Sequence, residues 1–128
     1  MKKGEAWEVK KTAWKKRIKE ACIKAGTYRE FFDYTIETLA DILEKRDDAA
    51  RAYLDYGAEP LIEYTNKGGS TNLVKNPALI LWDDLNKSAL AYWRDLGLTP
   101  AGLKKIDDAA LKKQKRGGLM EALAELGG

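Results

Sequence analysis

Three glycines decide most of what this chain of 128 residues can become. Gly26, Gly57 and Gly97 each follow a run in which apolar residues recur at three- and four-residue steps. That step is the period of an amphipathic helix, and glycine is the residue that most readily ends one. Pro60 and Pro100 come soon after the second and third glycine and cannot continue a helix already under way. The chain is cut into helical stretches joined by short connections, which predicts a mainly α fold.

The first stretch runs from about Trp7 to Ala25, with Trp14, Ile18, Ala21, Cys22 and Ala25 on one apolar stripe. Lys15, Lys16, Arg17 and Lys19 fall mainly off that stripe, so one side is free to bury while the other meets solvent or phosphate. Cys22 lies on the stripe and reads as a small buried hydrophobe. Thr27-Tyr28-Arg29-Glu30 fits a capping box, in which Thr27 caps the next helix and Glu30 reaches back. That helix extends to about Tyr56, and along it Phe32, Ile36, Leu39, Leu43, Arg46, Ala50 and Tyr53 alternate steps of four and three. Such a seam packs either within one subunit or between subunits. Ile42 and Leu54 widen its flank.

Two β-prone segments, Pro60–Thr65 and Thr71–Lys75, flank Asn66-Lys67-Gly68-Gly69-Ser70 and predict a β-hairpin. An isolated hairpin is marginal in water, so it should dock on helices or pair with another copy. Asn76-Pro77 then opens a third helix, with Asn76 as cap and Pro77 at the first helical position. Its broad apolar face comprises Ala78, Leu81, Trp82, Leu85, Ala89, Tyr92, Trp93 and Leu96. Thr99-Pro100 repeats the device and predicts a short helix to about Ile106. Beyond it, Gly117-Gly118 reads as a flexible break before a short amphipathic segment bearing Leu119, Met120, Leu123 and Leu126. So short a helix orders only by docking, on a partner or back on its own subunit. The expected organisation is a basic N-terminal helical segment (1–25), a core of helices and hairpin (26–106), and a basic flexible tail (107–128). The first two helices should form an antiparallel helical hairpin.

Composition removes several functions. With no histidine, neither Ser-His-Asp nor Cys-His catalysis is possible, and imidazole metal ligation is lost with them. A single cysteine cannot form an intramolecular disulfide, which fits a reducing cytosol. No apolar run approaches the ~20 residues of a membrane span, and the charged start Met1-Lys2-Lys3-Gly4-Glu5 does not resemble a secretory signal. The pairs Asp47-Asp48, Asp83-Asp84 and Asp107-Asp108 are the remaining candidates for a carboxylate-metal nuclease. Helical neighbours point about 100° apart and make a poor cage for one cation, so no catalytic residue, metal or cofactor is expected.

The net charge of +3 is unevenly spread. Residues 1–24 carry nine Lys or Arg against three Glu, and residues 104–116 carry six against two Asp. The middle, 25–103, holds eight cations against thirteen carboxylates. Basic ends on an acidic body point to a polyanion touched by the ends. The expected phosphate contacts are Lys10, Lys11, Lys15, Lys16, Arg17 and Lys19, followed by Lys112, Lys113, Lys115 and Arg116.

Lys75-Asn76-Pro77-Ala78, then an amphipathic helix, then Leu96-Gly97-Leu98-Thr99-Pro100-Ala101 resembles the phage terminase small subunits of the P27 type. The Gly-rich hairpin and the helix ending in Tyr53-Leu54-Asp55-Tyr56-Gly57 stand in the same order, and the likeness covers residues 20–106. What the resemblance implies is a non-catalytic component of a viral DNA-packaging motor in the host bacterial cytoplasm. Such proteins assemble as rings, bind double-stranded phage DNA near the packaging start, and deliver it to the large subunit, which holds ATPase and nuclease. On this basis the ring interface is expected at Phe32, Ile36, Leu39, Leu43, Tyr53, Ile62, Tyr64, Leu81, Trp82, Leu85 and Trp93. The large-subunit contact is expected at Leu119, Met120, Leu123 and Leu126. The alternative is a helical DNA-binding regulator or interaction protein acting as a dimer.

Overall fold

A computed structural model describes the backbone over residues 3–127 and the side chains from Lys10 onward. In chain order the elements are α1 (Lys3–Ala25), a 3-10 turn (Glu30–Phe32), α2 (Asp33–Asp55), β1 (Leu61–Thr65), β2 (Thr71–Lys75), α3 (Pro77–Asp95) and α4 (Pro100–Gly127). Trp7, read as the start of the first helix, falls where side chains are outside the described set.

Helix α2 is the axis, with α3 along one side and α1 along the other. Lys10 of α1 meets Asp48 late in α2, while Lys19 sits over Tyr28 just before it, so the first two helices run antiparallel as expected. The stripes read from the sequence converge on one core. Ile18 and Cys22 come from α1, Ile36, Leu39, Ala40 and Leu43 from α2, and Ala89 and Leu96 from α3. Trp14, Phe32, Tyr92 and Trp93 pack around them, half-buried. Arg46, the one charge on the α2 seam, joins all three helices. Its guanidinium lies 5.5 Å from the Trp14 ring of α1, bonds Asp47 at 3.0 Å, and reaches Asn86 of α3 at 3.3 Å. A cation over an aromatic face and within reach of a carboxylate is well compensated.

The two segments that carry the family resemblance are joints. Asn76 Oδ1 accepts from the Ala78 amide at 3.0 Å, capping α3 as expected. Its Nδ2 donates to the Glu59 carbonyl at 3.0 Å and its backbone amide to the Pro60 carbonyl at 2.8 Å, so one buried residue ties the two ends of the hairpin together through side chain and main chain. At the other joint Gly97 has φ +73°, and a Cβ there would lie 2.8 Å from Thr27 Cγ2 and 2.6 Å from Ile106 Cδ1. Only glycine lets the α3–α4 turn rest on the α1–α2 turn. Thr99 Oγ1 then accepts from the Gly102 amide at 3.0 Å. Gly102 itself lies so close to the Arg94 carbonyl that an added Cβ would collide with it.

Within the hairpin Ile62 opposes Val74, both half-buried, and Thr65 opposes Thr71 with their hydroxyls 2.9 Å apart. Asn66 Oδ1 accepts from the Gly68 and Ser70 amides and so closes the loop. Leu61, Tyr64 and Leu73 stay exposed.

Two expectations need correction. The capping box does not form: Thr27 is buried against Gly97 and its hydroxyl donates to the Cys22 carbonyl at 3.4 Å. Helix α2 starts only at Asp33, without a side-chain cap. Beyond Ile106, where a short helix was expected to end, α4 continues without interruption to Gly127, straight through Gly117-Gly118.

Candidate functional site

The cations of the described N-terminal face divide into two groups. Lys10 and Lys11 turn inward: Lys10 Nζ lies 3.2 Å from Asp48 Oδ1, and Lys11 Nζ lies 3.5 Å from Glu37 and 3.6 Å from Asp41. These pairs latch α1 to α2 and offset the positive charge of both lysines. Lys15, Lys16, Arg17 and Lys19 point outward and are exposed. Arg17 lies over the Trp14 ring at 5.2 Å and Lys19 over the Tyr28 ring at 5.0 Å. The Tyr28 hydroxyl beside Lys19 holds its ammonium pKa above the ordinary value. Tyr28 in turn donates to Asp33 at 2.7 Å, and that bond raises the phenol pKa. Lys15, Lys16 and Lys19 form one wall of an open cleft of about 850 Å³ whose other wall carries Glu30, Asp33 and Glu37. Since acidic groups face basic ones across it, a phosphate meets net positive charge only from the outer side of α1. Lys112, Lys113, Lys115 and Arg116 stand exposed on α4, together with Lys104 and Lys105.

Beneath the latch lies a carboxylate that sequence periodicity did not single out. Glu44 is 0% exposed, and neither of its oxygens has a hydrogen-bond partner among the described residues. Burial raises its pKa above the usual carboxylate range, and Asp48 and Asp41 push the same way against the opposing effect of Lys10. Burial also raises the Cys22 thiol pKa, so this sulfur is not a ready nucleophile. Asp83 is held by Lys87 at 2.9 Å, while Asp107 and Asp108 are exposed on α4. Among the described residues no three carboxylates or thiols converge on a point where a metal ion would sit.

The residues expected at a ring interface separate sharply. Ile36, Leu39 and Leu43 are at most 3% exposed and belong to the core of this one subunit, so their place in an interface is corrected. The 4-3 seam faces α1 and α3 of the same chain. Phe32 and Trp93 are half-buried against that core, and Tyr53 is half-buried with its hydroxyl donating to the Ala58 carbonyl at 2.7 Å. Ile62 and Leu85 are half-buried, whereas Tyr64, Leu81 and Trp82 are exposed.

Where α2 ends and α3 begins the two helices leave an uncovered cleft of about 290 Å³, lined by Ala50, Tyr53, Leu54, Leu79 and Trp82. Trp82 faces α2 yet stays 38% exposed, because no described side chain closes that end. Leu79 lay outside the apolar face read from the sequence. Only the divergence of two helices makes it part of a site. At the far end of the molecule Leu119, Met120, Leu123 and Leu126 are exposed along α4.

No helix among the described residues is long and apolar enough to cross a membrane. No curated protein and no solved structure matches the chain. A family model described as "Phage terminase, small subunit" matches residues 11–113, a span that takes in the three-helix body, the hairpin, both glycine joints and the first half of α4. With most of its length covered, and with both joints that carried the resemblance inside the match, the chain belongs to the phage terminase small subunit family.

Proposed function

We propose that this chain is the oligomeric DNA-recognition component of a phage packaging motor, a ring that binds the genome at the packaging site and recruits the large subunit. Membership of the family makes genome packaging its setting, and the family is generally the non-catalytic partner. The observation that carries DNA binding is the outward lysine face of α1, where Lys15 and Lys16 are exposed and have no ion pair among the described residues. Lys112, Lys113, Lys115 and Arg116 add a second basic group on α4. Single contacts of this kind are weak, and several copies around a ring multiply them into useful affinity. The contact is electrostatic and reads the backbone, since among the described residues no helix start presents clustered Asn, Gln or Arg for base edges. Lys10 and Lys11, bound to α2 carboxylates, contribute less than their position in sequence suggests.

The test is a triple substitution of Lys15, Lys16 and Lys19 with Ala, followed by affinity for a phage DNA fragment across a salt series. Affinity should fall, and the slope of log K against log salt should flatten by up to ~0.9 per lysine that contacts a phosphate. An unchanged affinity and slope at unchanged oligomer mass would remove α1 from the interface.

A further inference from the structure

The lysine flank of α1 runs alongside a row of carboxylates on α2. Lys11, Lys15 and Lys19 recur at four-residue steps, one turn apart on one side of α1. On α2, Asp33, Glu37, Asp41, Glu44 and Asp48 recur at steps of four, four, three and four, which also sets them about one turn apart. A regular line of negative charges offers lysines what a phosphate backbone offers them. The two rows already touch. Lys11 Nζ lies 3.5 Å from Glu37 and 3.6 Å from Asp41, Lys10 Nζ lies 3.2 Å from Asp48, and Tyr28 links Lys19 to Asp33.

The two inward lysines differ in what they would leave behind. Lys10 sits beside Glu44, which is buried with neither oxygen hydrogen-bonded among the described residues, and Asp48 Oδ2 is buried and unbonded in the same way. Withdrawing Lys10 strands negative charge in the interior, which is costly. Lys11 leaves nothing of the kind. The Glu37 and Asp41 side chains are 49% and 41% exposed, so water solvates them, and Lys45 stays 3.9 Å from Asp41. Exposed pairs of this kind are weak and screened by salt.

We infer that Glu37 and Asp41 are an internal competitor for DNA: they hold Lys11 in the free subunit, and on binding Lys11 exchanges them for a phosphate next to those met by Lys15 and Lys19. The inference rests on the proposed DNA contact of α1. Lys10 stays on Asp48 and keeps the two helices together. A lone phosphate gains little from the exchange, since one ion pair replaces another. A duplex already held by Lys15 and Lys19 presents its next phosphate at high local concentration and drives the exchange. The acidic row therefore favours long polyanions over small ones.

The experiment is a double-mutant cycle on the full chain, read as affinity for a mixed-sequence DNA duplex at low salt. It compares the wild type, Glu37→Gln with Asp41→Asn, Lys11→Ala, and all three substitutions together, with circular dichroism verifying the fold of each. Glu37→Gln alone serves as the milder neutralisation. Neutralising both carboxylates should tighten binding by up to about fivefold, the range of an exposed ion pair. Lys11→Ala should cost less than about twofold in the wild type and should abolish the whole gain in the neutralised chain. A gain that survives without Lys11 is relief of general repulsion and overturns the inference, as does an equal cost of Lys11→Ala in both backgrounds. The chain with Lys15, Lys16 and Lys19 replaced by Ala separates the two levels. If it loses affinity while the cycle shows no coupling, only this inference falls; if it binds as well as the wild type, the α1 contact falls and this inference with it.

Discussion

The three-helix body and the distal half of α4 use similar residues to opposite ends. Leu39 and Leu43 on α2, four residues apart, are sealed within one subunit, while Leu119 and Leu123 at the same spacing on α4 lie open to solvent. Lysines differ in the same way. Lys10 and Lys11 are paired with α2 carboxylates, whereas Lys112, Lys113 and Lys115 have no ion pair among the described residues. Apolar period and charge count do not by themselves distinguish a part that holds the molecule together from a part that meets another molecule. What distinguishes them is whether a second element lies alongside.

The largest expected effect comes from treating the two regions identically. Leu43→Ala removes a fully buried side chain and should cost about 3 kcal/mol in urea unfolding, whereas Leu123→Ala should change the stability of the isolated subunit by less than about 0.5 kcal/mol. Equal losses would mean that α4 packs on its own body. Next comes the joint between the regions. Gly102→Ala drives a Cβ into the Arg94 carbonyl and should cost about 1–3 kcal/mol, with amide exchange accelerating at the start of α4 more than in α2.

The smallest effect concerns the latch. Glu44 keeps its proton to a higher pH in the folded chain than in the unfolded one. Its contribution is therefore fully present below the ordinary carboxylate range and is lost as pH rises through the raised value. Glu44→Gln should stabilise the chain at neutral pH by on the order of 1 kcal/mol. The gain should shrink as pH falls toward the ordinary range. A gain that is constant with pH would assign the effect to packing instead of charge.

The body was legible in the sequence because burial imposes a helical period, and Ile18, Leu39, Leu43 and Leu96 all obey it. The hairpin was legible from its turn chemistry, and α3 from the Asn76-Pro77 start. Other features were not. Gly117-Gly118 was read as a break, yet glycine in an exposed helix is only a modest penalty and does not force an end. Thr27 carries the sequence of a cap, but its place is taken by a contact with Gly97, seventy residues on. The α2 seam showed that its residues pack, and gave no means of telling neighbours in the same chain from neighbours in another copy. The cleft depended on Leu79 and Trp82 flanking a gap between diverging helices, which one-dimensional periodicity does not encode.

Cys22, the sole sulfhydryl, is sealed where α1 meets the core. An alkylating reagent has nothing to attack until that helix lifts away. Its labelling rate is therefore a built-in gauge of how often the subunit breathes, readable with the wild-type chain alone and in the presence or absence of DNA.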